Sequence, residues 1–137
     1  MPQLSAASQR RLDDAHPLLR QLFTAVAAEV PIAILDAQRG RAAQERAFAL
    51  GHSRAHFGQS AHNWAPALAL DVVPEPVDWS DLGRFRALAA LVKAKAIAFG
   101  IPIVWGGDWP KLQDMPHYEL SPWREFARQA LPFEEAA

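Results

Sequence analysis

Residues 67–73 read Ala-Leu-Ala-Leu-Asp-Val-Val, and Pro74 and Pro76 close the run. Alternation of this kind has the period of a β-strand, with Ala67, Ala69 and Asp71 on one face and Leu68, Leu70 and Val72 on the other. Asp71 is thereby turned away from the large aliphatic side chains. Whatever sheet this strand joins must present a carboxylate on the face opposite its bulky apolar residues.

The remaining segments supply partners for that strand. From Ser5 to Val30, Leu12, Leu18, Leu19, Leu22, Phe23 and Val26 recur at helical spacing with a break at His16-Pro17, which predicts a short helix and then a longer one. Pro17 suits the first turn of the second helix, where an N–H has no partner to lose. Residues 31–35 form a short apolar strand, and residues 41–50 an Ala-rich helix stopped by Gly51. A polar loop runs on to Ser60. Ser80 is the expected cap of the next helix, with Asp81 in its first turn, and the helix continues through Leu88, Leu91, Val92 and Ile97 to Gly100. Residues 101–105 read as a strand, and Gly106-Gly107 opens a loop to Pro116. A last strand over 117–120 places His117 and Glu119 on one face and Tyr118 and Leu120 on the other. Ser121-Pro122 then caps a C-terminal helix that Pro132 stops. Short strands alternating with helices give a single α+β domain over residues 1–137, a small antiparallel sheet with helices packed on one side.

Composition narrows the chemistry. The 137 residues include no cysteine, which removes thiol nucleophiles, disulfides and cysteine-based zinc fingers. Any metal must therefore rest on His, Asp and Glu. A net charge of −1 argues against a nucleic-acid partner, which needs a concentrated basic surface. No run approaches the ~18 apolar residues of a membrane span, and the first residues lack the pattern of a secretory signal. A protein made in the cytoplasm, monomeric and without a membrane partner, is the expectation.

His62, Asp71 and His117 could hold one zinc ion, since a catalytic zinc takes three protein ligands from nitrogen or oxygen and leaves a fourth position for chemistry. Asp114, three residues before His117, would be an unligated carboxylate available as a base. Spacing alone leaves a bland alternative open. His62 could belong to a loop, Asp71 to a turn before Pro74 and His117 to a packed strand end, with no metal involved.

The neighbouring residues carry more. Ser60-Ala61-His62, then Ala69-Leu70-Asp71 with Pro74, then Trp105-Gly106-Gly107-Asp108-Trp109, then Asp114-Met115-Pro116-His117-Tyr118-Glu119-Leu120 follow one another in order. Together they resemble the M15 family of zinc peptidases, particularly its phage endolysin and L-alanyl-D-glutamate peptidase branch. Arg39 with Gln44, and Gly51-His52-Ser53, resemble two upstream elements of the same family, so the likeness spans about residues 30 to 121. It implies a hedgehog/DD-peptidase-like fold, zinc on His62, Asp71 and His117, Asp114 as catalytic acid/base and Arg39 facing the substrate's carbonyl or carboxylate. Arg39 is preferred to Arg41 for its spacing to Gln44. The resemblance also places Gln44 and Ser60 at the substrate, and Trp64 and Trp109 suit the walls of a groove for a glycan-linked peptide. Glu119, on the strand face of His117, would either accept a hydrogen bond from the far nitrogen of a ligating imidazole or stand as an ordinary solvated side chain. Trp105 reads as core, Trp79 and Trp123 as packing anchors, and Asp108 as a turn residue.

The implied activity is cleavage of the L-Ala–D-Glu bond in the peptidoglycan stem peptide, in phage or prophage lysis, by an enzyme made in the host cytoplasm and released to the wall. A D-Ala-D-Ala carboxypeptidase and a non-catalytic zinc- or wall-binding module are the alternatives. Two departures from the family pattern stand out. Gly40 replaces the usual Thr, and His62 to Asp71 is two residues longer than the common HxxGxAxD and lacks its Gly.

Overall fold

The structure, a computed structural model, describes residues 3–134. Helix α1 (Ala6–Asp13) starts where Ser5 Oγ accepts the Ser8 N–H at 3.0 Å. Helix α2 (Pro17–Ala27) has Pro17 in its first turn, and His16 Nδ1 accepts the Leu18 N–H at 3.1 Å. Strand β1 (Ile32–Asp36), helix α3 (Arg41–Ala49), the two-residue strand β2 (Trp64–Ala65) and strand β3 (Ala69–Pro74) follow. Helix α4 (Leu82–Phe99) ends at Gly100, whose φ of 68° is the left-handed value that closes helices and that glycine adopts without penalty. Strand β4 (Ile103–Trp105), strand β5 (His117–Leu120), helix α5 (Trp123–Ala127) and strand β6 (Leu131–Pro132) complete the chain.

Four strands form one antiparallel sheet in the order β1-β3-β5-β4. Its register decides what each face carries, because residues directly opposite in an antiparallel pair project to the same side. Leu70 lies opposite Tyr118, and Phe23 of α2 meets Tyr118 edge-on at 5.4 Å between ring centroids. Leu70, Val72, Tyr118 and Leu120 are all buried with Phe23 of α2 and Phe85 and Val92 of α4. Full burial of each such side chain contributes roughly 1.5–3 kcal/mol, so this is where the sheet is anchored. Asp71 lies opposite His117, and Ala69 opposite Glu119, on the other face.

At the edge of the sheet α1 replaces a missing neighbour of β1. Ile34 N–H donates to Ser8 Oγ at 2.9 Å and Arg11 donates to Ile34 O at 3.0 Å. That covers backbone groups an edge strand would leave open. The β1–β3 register slips between Ile34 and Asp36, so that Asp36 rather than Leu35 pairs with Asp71. The bulge turns Leu35 outward and brings a second carboxylate beside Asp71.

Several element boundaries differ from the sequence expectation. The strand begins at Ala69 because Ala67 is held elsewhere: it donates to Asp14 O and accepts from the His16 N–H, both at 2.9 Å. The C-terminal helix stops at Ala127, and Pro132 lies in β6, which pairs with β2 in a small separate ribbon. Asp81, not Ser80, caps α4: its carboxylate accepts the Arg84 N–H at 3.3 Å, while the Ser80 hydroxyl bonds Asp78 at 2.6 Å. Asp81→Ala should therefore lower stability in urea or thermal unfolding by about 1 kcal/mol, and Ser80→Ala by clearly less.

Candidate active site

His62 is carried by a 3-10 turn, Ala61–Asn63, whose start is fixed from both sides. Ser60 Oγ accepts the His62 N–H at 3.2 Å, and Asn63 Oδ1 accepts the Ser60 and Gly58 N–H groups at 3.0 and 2.9 Å. The fully buried Asn63 also donates to Arg39 O and Gln44 Oε1, at 3.0 and 3.2 Å. Arg39 N–H in turn donates to His62 O at 2.7 Å. The turn thus binds Arg39 and His62 to each other through their backbones. Asp71 and His117 come from the centre of the sheet, facing one another across the β3–β5 ladder.

The far nitrogens of the two imidazoles decide what the near ones offer. His62 Nδ1 lies 2.9 Å from the carbonyl oxygen of Ala37, which can only accept, so Nδ1 carries the proton and Nε2 presents a lone pair. His117 Nε2 donates to Glu119 Oε1 at 2.7 Å, leaving Nδ1 with the lone pair. His62 Nε2 and Asp71 Oδ1 are 3.2 Å apart, His62 Nε2 and His117 Nδ1 3.2 Å, and His117 Nδ1 and Asp71 Oδ1 3.3 Å. Ligand atoms on a tetrahedral cation with bonds of about 2.0–2.1 Å are roughly 3.3–3.4 Å apart. Three acceptors have therefore been brought together at the edge length of a tetrahedron, and they can hold a metal ion.

Such a cluster demands a positive charge. Burial alone would lower the His117 pKa, but hydrogen bonds to Asp71 and Glu119 and the charges of both carboxylates outweigh it and push it up to about 9. Burial likewise opposes a charged Asp71, yet the two imidazoles beside it hold its carboxyl well below the usual range. The carboxylates around His117 thus favour its positively charged form.

Asp114 lies beside this centre on the loop before β5, half-buried. Burial first, and then the Asp71 charge, raise its pKa. Its N–H donates to Gly106 O at 3.0 Å, and its carbonyl accepts the His117 N–H at 3.2 Å. Gly106 is the point against which this loop is pressed. A Cβ there would lie 2.4 Å from Asp114 O and 3.0 Å from the Cβ atoms of Asp114 and His117.

Arg39 stands on the other side, with Nη2 2.9 Å from Asp36 Oδ2 and 3.8 Å from Asp71 Oδ2. Nη1 donates to Gln44 Oε1 at 3.3 Å. Arg41 points elsewhere, over the Phe57 ring and toward Glu134. Arg39, His62, Asp71, Asp114 and His117 line a cleft of about 690 Å³, whose walls include Ser60, Trp109 and Trp123. Trp109 sits 5.1 Å from the His117 ring. Arg54 and Lys111 also line the cleft, exposed and without an acidic partner among the described residues.

Two expected substrate contacts are placed differently. Gln44 is wholly buried: its amide holds Arg39 and donates to Ser53 Oγ at 3.1 Å and Ala55 O at 2.6 Å, so it supports the cleft from behind. Trp64 lies outside the cleft because β2 pairing turns it against Trp123, at 6.2 Å between rings. Trp123, expected to be a packing anchor, joins Trp109 at the cleft wall. Asp108 is exposed and paired with Lys93 at 2.5 Å. His16 caps α2, and His56 pairs with Glu45 at 2.8 Å, so neither approaches the centre. Asp36, Asn63 and Gly106 were not legible as site residues. Only Gly106 gave a signal, its place inside the Trp-Gly-Gly-Asp-Trp run.

The family model for phage L-alanyl-D-glutamate peptidase matches residues 1–121. The peptidoglycan L-alanyl-D-glutamate endopeptidase CwlK of Bacillus subtilis (strain 168) is 26% identical over 127 residues, 80% of this chain and 75% of that protein. Among solved structures, the L-Ala D-Glu endopeptidase ChiX of Serratia marcescens superposes with a TM-score of 0.77 at 28% identity, covering 90% of this chain and 93% of that one.

Gly106→Ala should displace Asp114 and His117 together and weaken metal affinity by about 10–100-fold, the scale seen when a ligand's support is lost, with the far-ultraviolet dichroism retained. A metal ion held there would compete with a proton for His117 Nδ1. Metal uptake at pH 7 should displace about one proton, measurable by calorimetry in buffers of different ionisation enthalpy, and should tighten as pH rises toward about 9. The sign for folding is opposite. In the metal-free protein this raised pKa stabilises fully below 6.5, and the contribution is lost as pH rises through about 9.

Proposed function

The chain belongs to the phage L-alanyl-D-glutamate peptidase family, and on that premise we propose that it is a zinc-dependent peptidoglycan peptidase that cleaves the stem peptide between L-Ala and D-Glu, in phage or prophage lysis. The observation that carries this reading is the convergence of three lone pairs, from His62, Asp71 and His117, at tetrahedral spacing beside an unligated carboxylate. The names of the two relatives support the choice of bond.

His62 Nε2, Asp71 Oδ1 and His117 Nδ1 would hold the zinc, with Ala37 O and Glu119 fixing the imidazole tautomers. Bound there, zinc supplies Lewis acidity, polarising the scissile carbonyl and making water acidic enough to attack near neutral pH. Asp114 takes the proton from the attacking water and returns it to the leaving amine nitrogen. Its raised pKa suits that task, since a base works best when its pKa lies near the working pH. Arg39, held by Asp36 and Gln44, is set to stabilise the negative charge that develops on the carbonyl oxygen.

Digestion of purified sacculi with mass identification of the new termini tests the reading. New L-Ala carboxyl and D-Glu amino termini are expected; release of free D-Ala would instead assign carboxypeptidase action, and zinc and wall binding without cleavage a binding module. Asp114→Asn should retain zinc and lose about 10²–10⁴-fold in turnover. His117→Ala should lose the metal, and chelation should abolish cleavage reversibly.

A further inference from the structure

Of the Asp, Glu, Arg and Lys side chains that line the cleft, Asp114 is the proposed base and three others are already matched. Asp71 is matched by the two histidines, Glu119 by His117, and Arg39 by Asp36. On the outer surface Arg41, Lys93, Lys95 and Arg128 have a carboxylate within ion-pair distance, while others such as Arg46 and Arg86 have none among the described residues. Arg54 and Lys111 differ, since both line the cleft and neither has an acidic partner among the described residues. In a chain of net charge −1, two unmatched cations on one concave surface ask for an anionic ligand.

They are also presented from defined backbone. Gln44 Nε2 donates to Ser53 Oγ and Ala55 O, pinning the chain on either side of Arg54 while its side chain stays in solvent. Lys111 follows Trp109, which packs near His117, and precedes Leu112, whose φ of 41° turns the loop sharply. The two cations thus come from separate loops that both border the metal-holding residues. In a stem peptide D-Glu is joined onward through its side-chain carboxyl. Its α-carboxylate is left free, one carbon from the scissile nitrogen.

We propose that Arg54 and Lys111 are specificity-determining residues that bind this free carboxylate, an inference that rests on the L-Ala–D-Glu reading above. A guanidinium and an ammonium donating to one carboxylate make charge-assisted hydrogen bonds, which a neutral carboxamide at the same place cannot receive equally well.

The test compares two synthetic stem peptides, one with the D-Glu α-carboxyl free and one with it as the carboxamide, measuring KM and kcat separately. The unaltered protein should favour the free acid. Arg54→Gln and Lys111→Gln should each lower kcat/KM on the free acid by about tenfold, mainly through KM, and the double variant should bring the ratio of the two peptides toward one. Absence of a preference in the unaltered protein, or an unchanged ratio in the double variant, including equal loss on both peptides, overturns the inference and leaves the peptidase reading standing. If the unaltered protein cleaves neither peptide while binding zinc, the peptidase reading itself falls and takes this inference with it.

Discussion

Asp71 and His117 face each other across the β3–β5 ladder, and the cleft is organised around that cross-strand pair. The ladder's register is what makes it available. Leu70 opposite Tyr118 is locked into the helix-facing core, so the neighbouring pair is forced onto the opposite face. Slipping one strand by a single residue would bury the carboxylate and the imidazole among Phe23 and Phe85 and expose the aliphatics, a change the core forbids. The hydrophobic effect, acting on residues of the helix-facing core, therefore positions two of the three atoms that could hold a metal ion.

The third comes from outside the sheet and needs a different kind of support. His62 lies on a 3-10 turn too short to hold itself in place, and its rigidity comes from buried hydrogen bonds. Asn63 joins the turn to Arg39 O and Gln44 Oε1, Arg39 N–H returns to His62 O, and Gln44 carries the connection onward to the 53–55 segment. The β1 bulge completes the arrangement by delivering Asp36 to the Arg39 guanidinium. An arginine this close to Asp71 would otherwise be free to swing into its carboxylate. Two hydrogen-bonded partners hold it at 3.8 Å from Asp71 Oδ2, too far for a direct hydrogen bond.

What the sequence made readable follows from how local each signal is. The period-two run ending at Pro74, the broken helix at His16-Pro17 and the strand over 117–120 are local patterns, and each appears in the structure within about two residues. The facing of His117 and Glu119 was readable for the same reason, since alternation alone sets it. Asp36 was not, because its role depends on a bulge that only the pairing of two distant strands creates. Gln44 and Trp64 could be marked as near the site but not as behind or in front of it. Burial of an amide by Arg39, Asn63 and Ser53 is a tertiary fact. The cap of α4 failed on a finer scale: Ser80 and Asp81 are both good capping residues, and the choice turned on Ser80 bonding Asp78 instead.

The two extra residues between His62 and Asp71 show how the fold absorbs a change beside a residue of the cleft. An added loop brings backbone groups that must find partners if they are not to face water unpaired. Here Trp64 and Ala65 pair with Pro132 and Leu131, the Phe133 N–H donates to Asn63 O at 2.7 Å, and Ala67 bonds to both Asp14 and His16. The lengthened turn is thereby fastened at both ends, and His62 keeps its contacts with Ser60 and Ala37. The partner strand lies beyond residues 1–121, where the family model ends, and the same segment carries Trp123 into the cleft wall against Trp64. The lengthened turn and the C-terminal segment thus act as one unit: the first supplies hydrogen bonds and an indole surface that seat the second, and the second adds an aromatic to the cleft.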